Sequence, residues 1–170
     1  CFHPKIIEHP QTHLYKSFLC GNISQLILQV TKNCNFNCKY CSFSEGIYNA
    51  HHSNEVMTFD IAKKAIDYYH DMSISTSSSH ISFYGGEPFL NWSLIESCIE
   101  YATQIFKGKK LSFSMTTNLY LLNQHIIEVL KKYNIDLLIS LDGPQHINDK
   151  NRILKATGQG TFSVVYKKLE

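Results

Sequence analysis

The sequence predicts an α/β fold built around a parallel sheet, and three observations predict it. Short runs of β-forming residues alternate with longer stretches of helical periodicity, four times over, which is the pattern of consecutive right-handed βαβ units. Each run ends on residues that packing alone does not call for. These are Cys34, Cys38 and Cys41 after the first, Gly85-Gly86-Glu87-Pro88 after the second, Asn118 after the third, and Ser140 with Asp142 at the fourth. All four endings fall at C-terminal strand ends, where β/α folds gather their chemistry.

Taken in order, residues 1–20 carry His3, Pro4, His9, Pro10 and His13 without sustained periodicity, and read as an extension lying against the body. The core domain is expected over 21–170. Residues 23–30 form the first strand, rich in β-formers and ending directly at the cysteines. A polar loop follows over 44–57, with Gly46, Asn49, His51 and His52. Thr58 suits an N-cap ahead of the stripe Ile61, Ala62, Ala65, Ile66 and Tyr69. The low-complexity stretch 73–79 reads as an exposed, mobile connector to a second strand at 80–84. Leu94, Ile95, Ile99, Ala102, Ile105 and Phe106 share one side of a second helix; Cys98 falls among them as a small core hydrophobe and Gly108 ends the helix. Residues 110–115 alternate as a third strand. Leu122, Ile126, Val129, Leu130 and Tyr133 mark a third helix, and 135–141 a fourth strand closed by the turn Asp142-Gly143-Pro144. Residues 162–170 begin a last helix.

Composition bounds the function. The chain has 170 residues, 44% apolar and 18% charged, enough for one domain with a real core. A formal net charge of +2 gives no electrostatic footprint for nucleic acid. No run reaches the roughly 18 apolar residues of a membrane span, and no secretory signal pattern opens the chain. Six cysteines, three of them clustered and Cys1, Cys20 and Cys98 scattered, do not make a disulfide framework. A thiolate cluster needs a reducing compartment, so the expected setting is cytoplasmic.

The cysteines carry the chemistry. Spaced C-x3-C-x2-C, they can converge on one inorganic centre, and soft thiolates narrow it to zinc, copper(I) or iron–sulfur. A closed zinc site wants four ligands; no second cysteine pair follows, and His51 or His52 would have to complete a Cys3His knot. That non-catalytic zinc module stays open as an alternative. A [4Fe–4S] cluster normally takes four cysteines, so three would leave one iron with an open position.

With Tyr40 just ahead of Cys41 and Gly85-Gly86-Glu87-Pro88 at a later strand end, the motif resembles the signature of the radical S-adenosylmethionine (radical SAM) enzymes. The resemblance runs from about Ile23 to Glu170 and implies a partial (β/α)6 radical SAM barrel, truncated here to about four β/α units. The chain starts at Cys1 and stops within an expected helix, and is expected to be a piece of a longer protein. The resemblance implies that Cys34, Cys38 and Cys41 ligate three irons of a [4Fe–4S] cluster, with SAM chelating the fourth. It places Tyr40 near the adenine, and the SAM ammonium on the Gly85-Gly86-Glu87 turn through backbone carbonyls and the Glu87 carboxylate, with no Cβ to obstruct the approach. Asn118 and Ser140 would serve the ribose, the carboxylate or the substrate, or else simply cap their strands. Asp142 would face substrate or only shape its turn. Arg152 would hold the SAM carboxylate in a bidentate contact or remain a solvated charge. Gly158-Gln-Gly-Thr161 would open the last helix with N–H groups available to an anion.

The same resemblance implies the activity: a reduced cluster passes one electron to SAM, and the 5′-deoxyadenosyl radical takes a hydrogen atom from substrate. The strings around Gly85, Asn118 and Asp142 are similar to the peptide-modifying, SPASM-type branch. The front end is most like maturases of Cys-rich peptides, which forge thioethers. Sulfatase maturation, giving formylglycine, is the alternative. A ribosomally made precursor peptide and a one-electron reductant such as flavodoxin or ferredoxin are the implied partners, with no nucleic acid and no membrane.

Overall fold

The computed structural model describes residues 9–15, 20–43 and 51–170. Four strands form where the short apolar runs lie: β1 (Gln25–Thr31), β2 (Ser78–Gly85), β3 (Lys110–Thr117) and β4 (Asp136–Ile139). They pair in chain order, all parallel. In register, Leu28 lies opposite Phe83, Phe83 opposite Met115, and Met115 opposite Leu137.

The two-residue period of the strands sorts the faces. Leu28, Val30, Ile81, Phe83, Phe113 and Met115 are buried in one core. Helix α1 (Phe59–Met72) adds Ala62, Ile66 and Tyr69 to it, and helix α2 (Trp92–Ile105) adds Leu94, Ile95, Ile99 and Ala102. Cys98, wholly buried, packs there as expected. The alternate positions turn the other way. Ile27 is 61% exposed and Leu138 68%, while His80 links strands, its Nδ1 2.8 Å from Ser112 Oγ and its Nε2 2.7 Å from Ser114 Oγ. One face of the sheet is oily and closed, the other polar and open.

Several boundaries differ from the sequence reading, each for a local reason. Ile23 lies before β1 because its N–H goes to the Met72 carbonyl, 3.0 Å away, closing off the end of α1. Thr58 sits at the N-cap with extended backbone, but its hydroxyl makes no capping bond. Helix α3 (Gln124–Lys132) starts after Leu122 because Asn123 caps it, accepting the Ile126 N–H at 3.0 Å. The stretch 73–79 is not an exposed connector throughout. Ser73 and Ser79 are buried, Ser78 and Ser79 belong to β2, and Lys109 reaches the Ser73 carbonyl. Two elements escaped the periodicity because they are so short: a 3-10 turn at Pro88–Asn91 and helix α4 (Gln145–Asn151). Helix α5 (Phe162–Leu169) completes the chain.

Of the expected N-terminal extension, the structure describes a 3-10 turn at Thr12–Leu14 that buries no residue. Cys1, His3 and Pro4, and Gly46 and Asn49 of the polar loop, lie outside the described residues. Among the described residues no helix is long and apolar enough to cross a membrane.

Candidate active site

Strand β1 runs straight into the cysteine loop, and the end of β2 braces that loop from beside it. The Gly86 N–H donates to the Thr31 carbonyl at 3.0 Å and the Glu87 N–H to the Asn33 carbonyl at 2.9 Å. A Cβ on Gly85, whose φ is +152°, would stand 2.3 Å from the Thr31 carbonyl oxygen; one on Gly86 would stand 2.3 Å from that of Asn33. The close approach these glycines permit is therefore to the root of the cysteine loop.

Glu87 turns inward. It is 1% exposed. Its Oε1 accepts the Thr117 hydroxyl at 2.6 Å and the Phe89 N–H at 3.1 Å, and its Oε2 accepts the Asn118 N–H at 2.7 Å. Burial pushes this carboxyl above the usual range, against the pull of those three donors. The sequence reading aimed the carboxylate at a ligand ammonium; here its bonds are to its own chain, tying the end of β2 to the end of β3. Asn118 continues the tie: its Nδ2 donates to Asn35 Oδ1 at 2.8 Å and lies 3.9 Å from Cys34 Sγ, while its Oδ1 accepts the Tyr120 N–H at 3.1 Å.

The opposite wall is a zipper between the cysteine loop and the segment after α4. Asn37 N–H bonds the Ile153 carbonyl at 2.8 Å, Lys39 N–H that of Asn151 at 3.0 Å, and Lys155 N–H that of Asn35 at 2.9 Å. Phe36 and Leu154 form an antiparallel bridge. Side chains add to it. Asp142 accepts the Arg152 Nε–H at 2.8 Å and the Tyr40 hydroxyl at 2.5 Å. Arg152, expected on a SAM carboxylate, is thus held by a carboxylate of the chain itself. The anticipated anion site before α5 is also filled from within: the Phe162 N–H donates to Asp149 Oδ1 at 2.8 Å.

These walls enclose a cavity of about 320 Å³. Cys34, Cys38 and Cys41 line it with Tyr40 and Arg152 on the loop side, and Gly85, Gly86, Glu87, Asn118 and Ser140 line it from the strand ends. The ten residues that the resemblance assigns to the cluster and SAM thus share one cavity, while Asp142 stands behind Tyr40 and Arg152 without lining it. Cys20 is exposed and Cys98 sits in the core, so neither joins them. A second cavity, of about 530 Å³, shares Phe43 and His52 with the first.

Burial acts on the two deeper thiols, Cys34 and Cys38. Burial pushes Cys34 up to about 11, and burial raises Cys38 against the opposing pull of Arg152. A metal must therefore displace protons on binding. His52, one of the two histidines that could complete a Cys3His knot, lies with Nε2 3.7 Å from Cys41 Sγ and Nδ1 2.9 Å from the Lys32 carbonyl. Among the described residues, no group of three or more His, Cys, Asp or Glu side chains is gathered tightly enough for one metal ion. Three soft sulfurs spread along an open cavity fit a larger iron–sulfur body with one iron left open. Asn35 Nδ2, next in sequence to Cys34, is buried without a hydrogen-bond partner.

Sequence reasoning missed the internal roles of Thr117, Asn35 and Asn151. It named Tyr40 and Asp142 but not their contact, which joins positions 102 residues apart and leaves no trace in spacing.

Comparison with known proteins matches residues 28–170 to the family described as the radical SAM superfamily. The radical SAM cyclopropyl synthase TigE of Paramaledivibacter caminithermalis is 31% identical over 169 residues, covering 92% of this chain and 34% of its own. The GTP 3′,8-cyclase of Clostridium botulinum is 31% identical over 149 residues, covering 87% of this chain and 43% of its own. Among solved structures, anSMEcpe with bound AdoMet superposes with a TM-score of 0.74 at 25% identity, over 86% of this chain and 38% of that one. The chain thus spans well under half the length of these relatives.

Proposed function

The chain belongs to the radical SAM superfamily, and from that premise we propose that it is the barrel core of a peptide-modifying enzyme. One observation carries the reading: the three motif cysteines line the same cavity as Gly85, Gly86 and Asn118. Soft thiolates facing a wall of strand ends are what a [4Fe–4S] cluster with bound SAM calls for. When bound, these groups supply one-electron cleavage of SAM to methionine and a 5′-deoxyadenosyl radical, which takes a hydrogen atom from a substrate carbon.

The chain's own residues bind and orient. Cys34, Cys38 and Cys41 would hold three irons of the cluster as thiolates. Glu87 fixes the strand ends that face SAM, through Thr117 and Asn118. Tyr40 would border the adenine, and Asn118 and Ser140 would serve the ribose or carboxylate. Residues 21–170 form this core and 1–20 an extension to it. The second cavity, sharing Phe43 and His52 with the first, offers a substrate segment room beside the cofactors. A peptide substrate is favoured by the likeness to anSMEcpe solved with AdoMet and the Cp18Cys peptide, at 26% identity. The product we favour is a thioether link in a ribosomally made peptide, formed in the cytoplasm with electrons from a flavodoxin or ferredoxin. Formylglycine formation in a sulfatase is the second reading.

Anaerobic reconstitution followed by EPR of the reduced protein, with and without SAM, tests the core assignment. A [4Fe–4S] signal that shifts with SAM and vanishes when the three cysteines become Ala supports it. Zinc without sulfide, in this chain and in a longer one, would sink it. Incubation with the precursor peptide then tests the substrate: a loss of two hydrogens from the peptide is expected, and intact peptide alongside SAM cleavage counts against it.

A further inference from the structure

One carboxylate holds two side chains against the loop that carries Cys38. Asp142 lies just past β4, its Oδ1 taking the Arg152 Nε–H at 2.8 Å and its Oδ2 the Tyr40 hydroxyl at 2.5 Å. Held so, the guanidinium stands over the Tyr40 ring, 5.4 Å from its centroid, and turns Nη1 to 3.9 Å from Cys38 Sγ. The side chains of Arg152 and Asp142 are only 15% and 24% exposed, so solvent screens this charge poorly. The backbone zipper on either side, Asn37 to Ile153 and Lys39 to Asn151, keeps Arg152 in line with the loop.

We propose that Arg152, positioned by Asp142, donates to the Cys38 sulfur and raises the reduction potential of the bound iron–sulfur cluster. The proposal rests on the cluster assignment above and is independent of the peptide substrate. The physics is direct. A reduced cluster carries one more negative charge, shared with its thiolate ligands. A permanent cation donating to one of those sulfurs stabilises the reduced state more than the oxidised one, and hydrogen bonds to sulfur are an established lever on such potentials. The other two motif sulfurs meet gentler partners. Cys34 receives the neutral N–H of Phe36 at 3.4 Å. Cys41 faces His52 Nε2, whose ring donates through Nδ1 to the Lys32 carbonyl.

The test is a redox titration of the reconstituted protein, followed by EPR in the absence of SAM, on wild type, Arg152→Lys and Arg152→Gln at equal iron and sulfide content. Arg152→Gln is expected to cut the reduced-to-oxidised ratio about tenfold at the wild-type midpoint, a shift of about 59 mV to more negative potential for a one-electron couple. Arg152→Lys, which keeps the charge but not the planar fork, should fall between. An unchanged midpoint in Arg152→Gln, with SAM binding alone weakened, would leave Arg152 a role at the SAM carboxylate only and overturn the proposal. Pulsed EPR of wild type labelled with 15N-arginine gives the answer even if the variants take up no cluster. A guanidinium nitrogen coupling to the reduced cluster is expected, and its absence overturns the assignment. A wild-type chain that holds no cluster at any length overturns this proposal together with the cluster assignment, whereas a failed peptide reaction touches neither.

Discussion

The two walls of the cavity are built on opposite principles. The strand-end wall is dry: Glu87 is 1% exposed, Thr117 1% and Asn118 5%, and the glycines of β2 press backbone against backbone. The loop wall is charged and only its outer edge is wet: Tyr40 is 50% exposed and leans on the mostly covered Arg152–Asp142 pair. In the first, every group is over-determined by neighbours, so a small change has nowhere to relax. In the second, solvent can replace the partner that the half-exposed Tyr40 loses. The difference teaches that rigidity at this site is concentrated at the strand ends, while the loop wall is free to supply charge.

That contrast can be broken at graded points. Gly86→Ala should do most damage, because its Cβ meets the Asn33 carbonyl oxygen at 2.3 Å and neither backbone can yield; a loss of about 4 kcal/mol is expected in urea unfolding, with cluster uptake lost as the loop root shifts. Glu87→Ala leaves the Asn118 and Phe89 N–H groups and the Thr117 hydroxyl without their acceptor. It should cost about 3 kcal/mol by the same measurement, with Glu87→Gln recovering part of it. On the loop wall, Tyr40→Phe removes one hydrogen bond to Asp142. The expected cost is about 1 kcal/mol, with iron content after reconstitution unchanged. Lys32→Ala, which breaks an exposed pair with Glu55 at the base of the loop, should change stability by less than about 0.5 kcal/mol. If Tyr40→Phe proved as costly as Glu87→Ala, the division into a rigid and a yielding wall would be wrong.

Much of the fold was legible because its signals are local. Periodicity found all four strands and the three long helices, and Cys98 declared itself by falling in an apolar stripe. What failed was local too. Leu122 lies outside α3 because Asn123 out-competes it as a cap, and Ser73 is buried because it ends α1 and receives Lys109 from a distant loop. At the site, the residue types were legible and their directions were not. Glu87 reads as a ligand-facing acid in the motif, yet its donors come from β3 and the turn that follows it.

By itself the sequence determined which residue types gather at the candidate site: three thiols in one loop, two glycines where no Cβ fits, and polar groups at successive strand ends. Each follows from spacing or steric need within a short stretch, which the chain carries wherever it folds. Only the tertiary structure decided how those residues are shared out. Parallel pairing in the order β1 to β4 put Glu87 between two neighbouring strand ends, so its charge went to bracing them. The return of 151–155 onto the cysteine loop brought Asp142 and Arg152 to Tyr40 and Cys38. Such pairings join residues far apart along the chain. They depend on which strand lies beside which, and no local pattern encodes that.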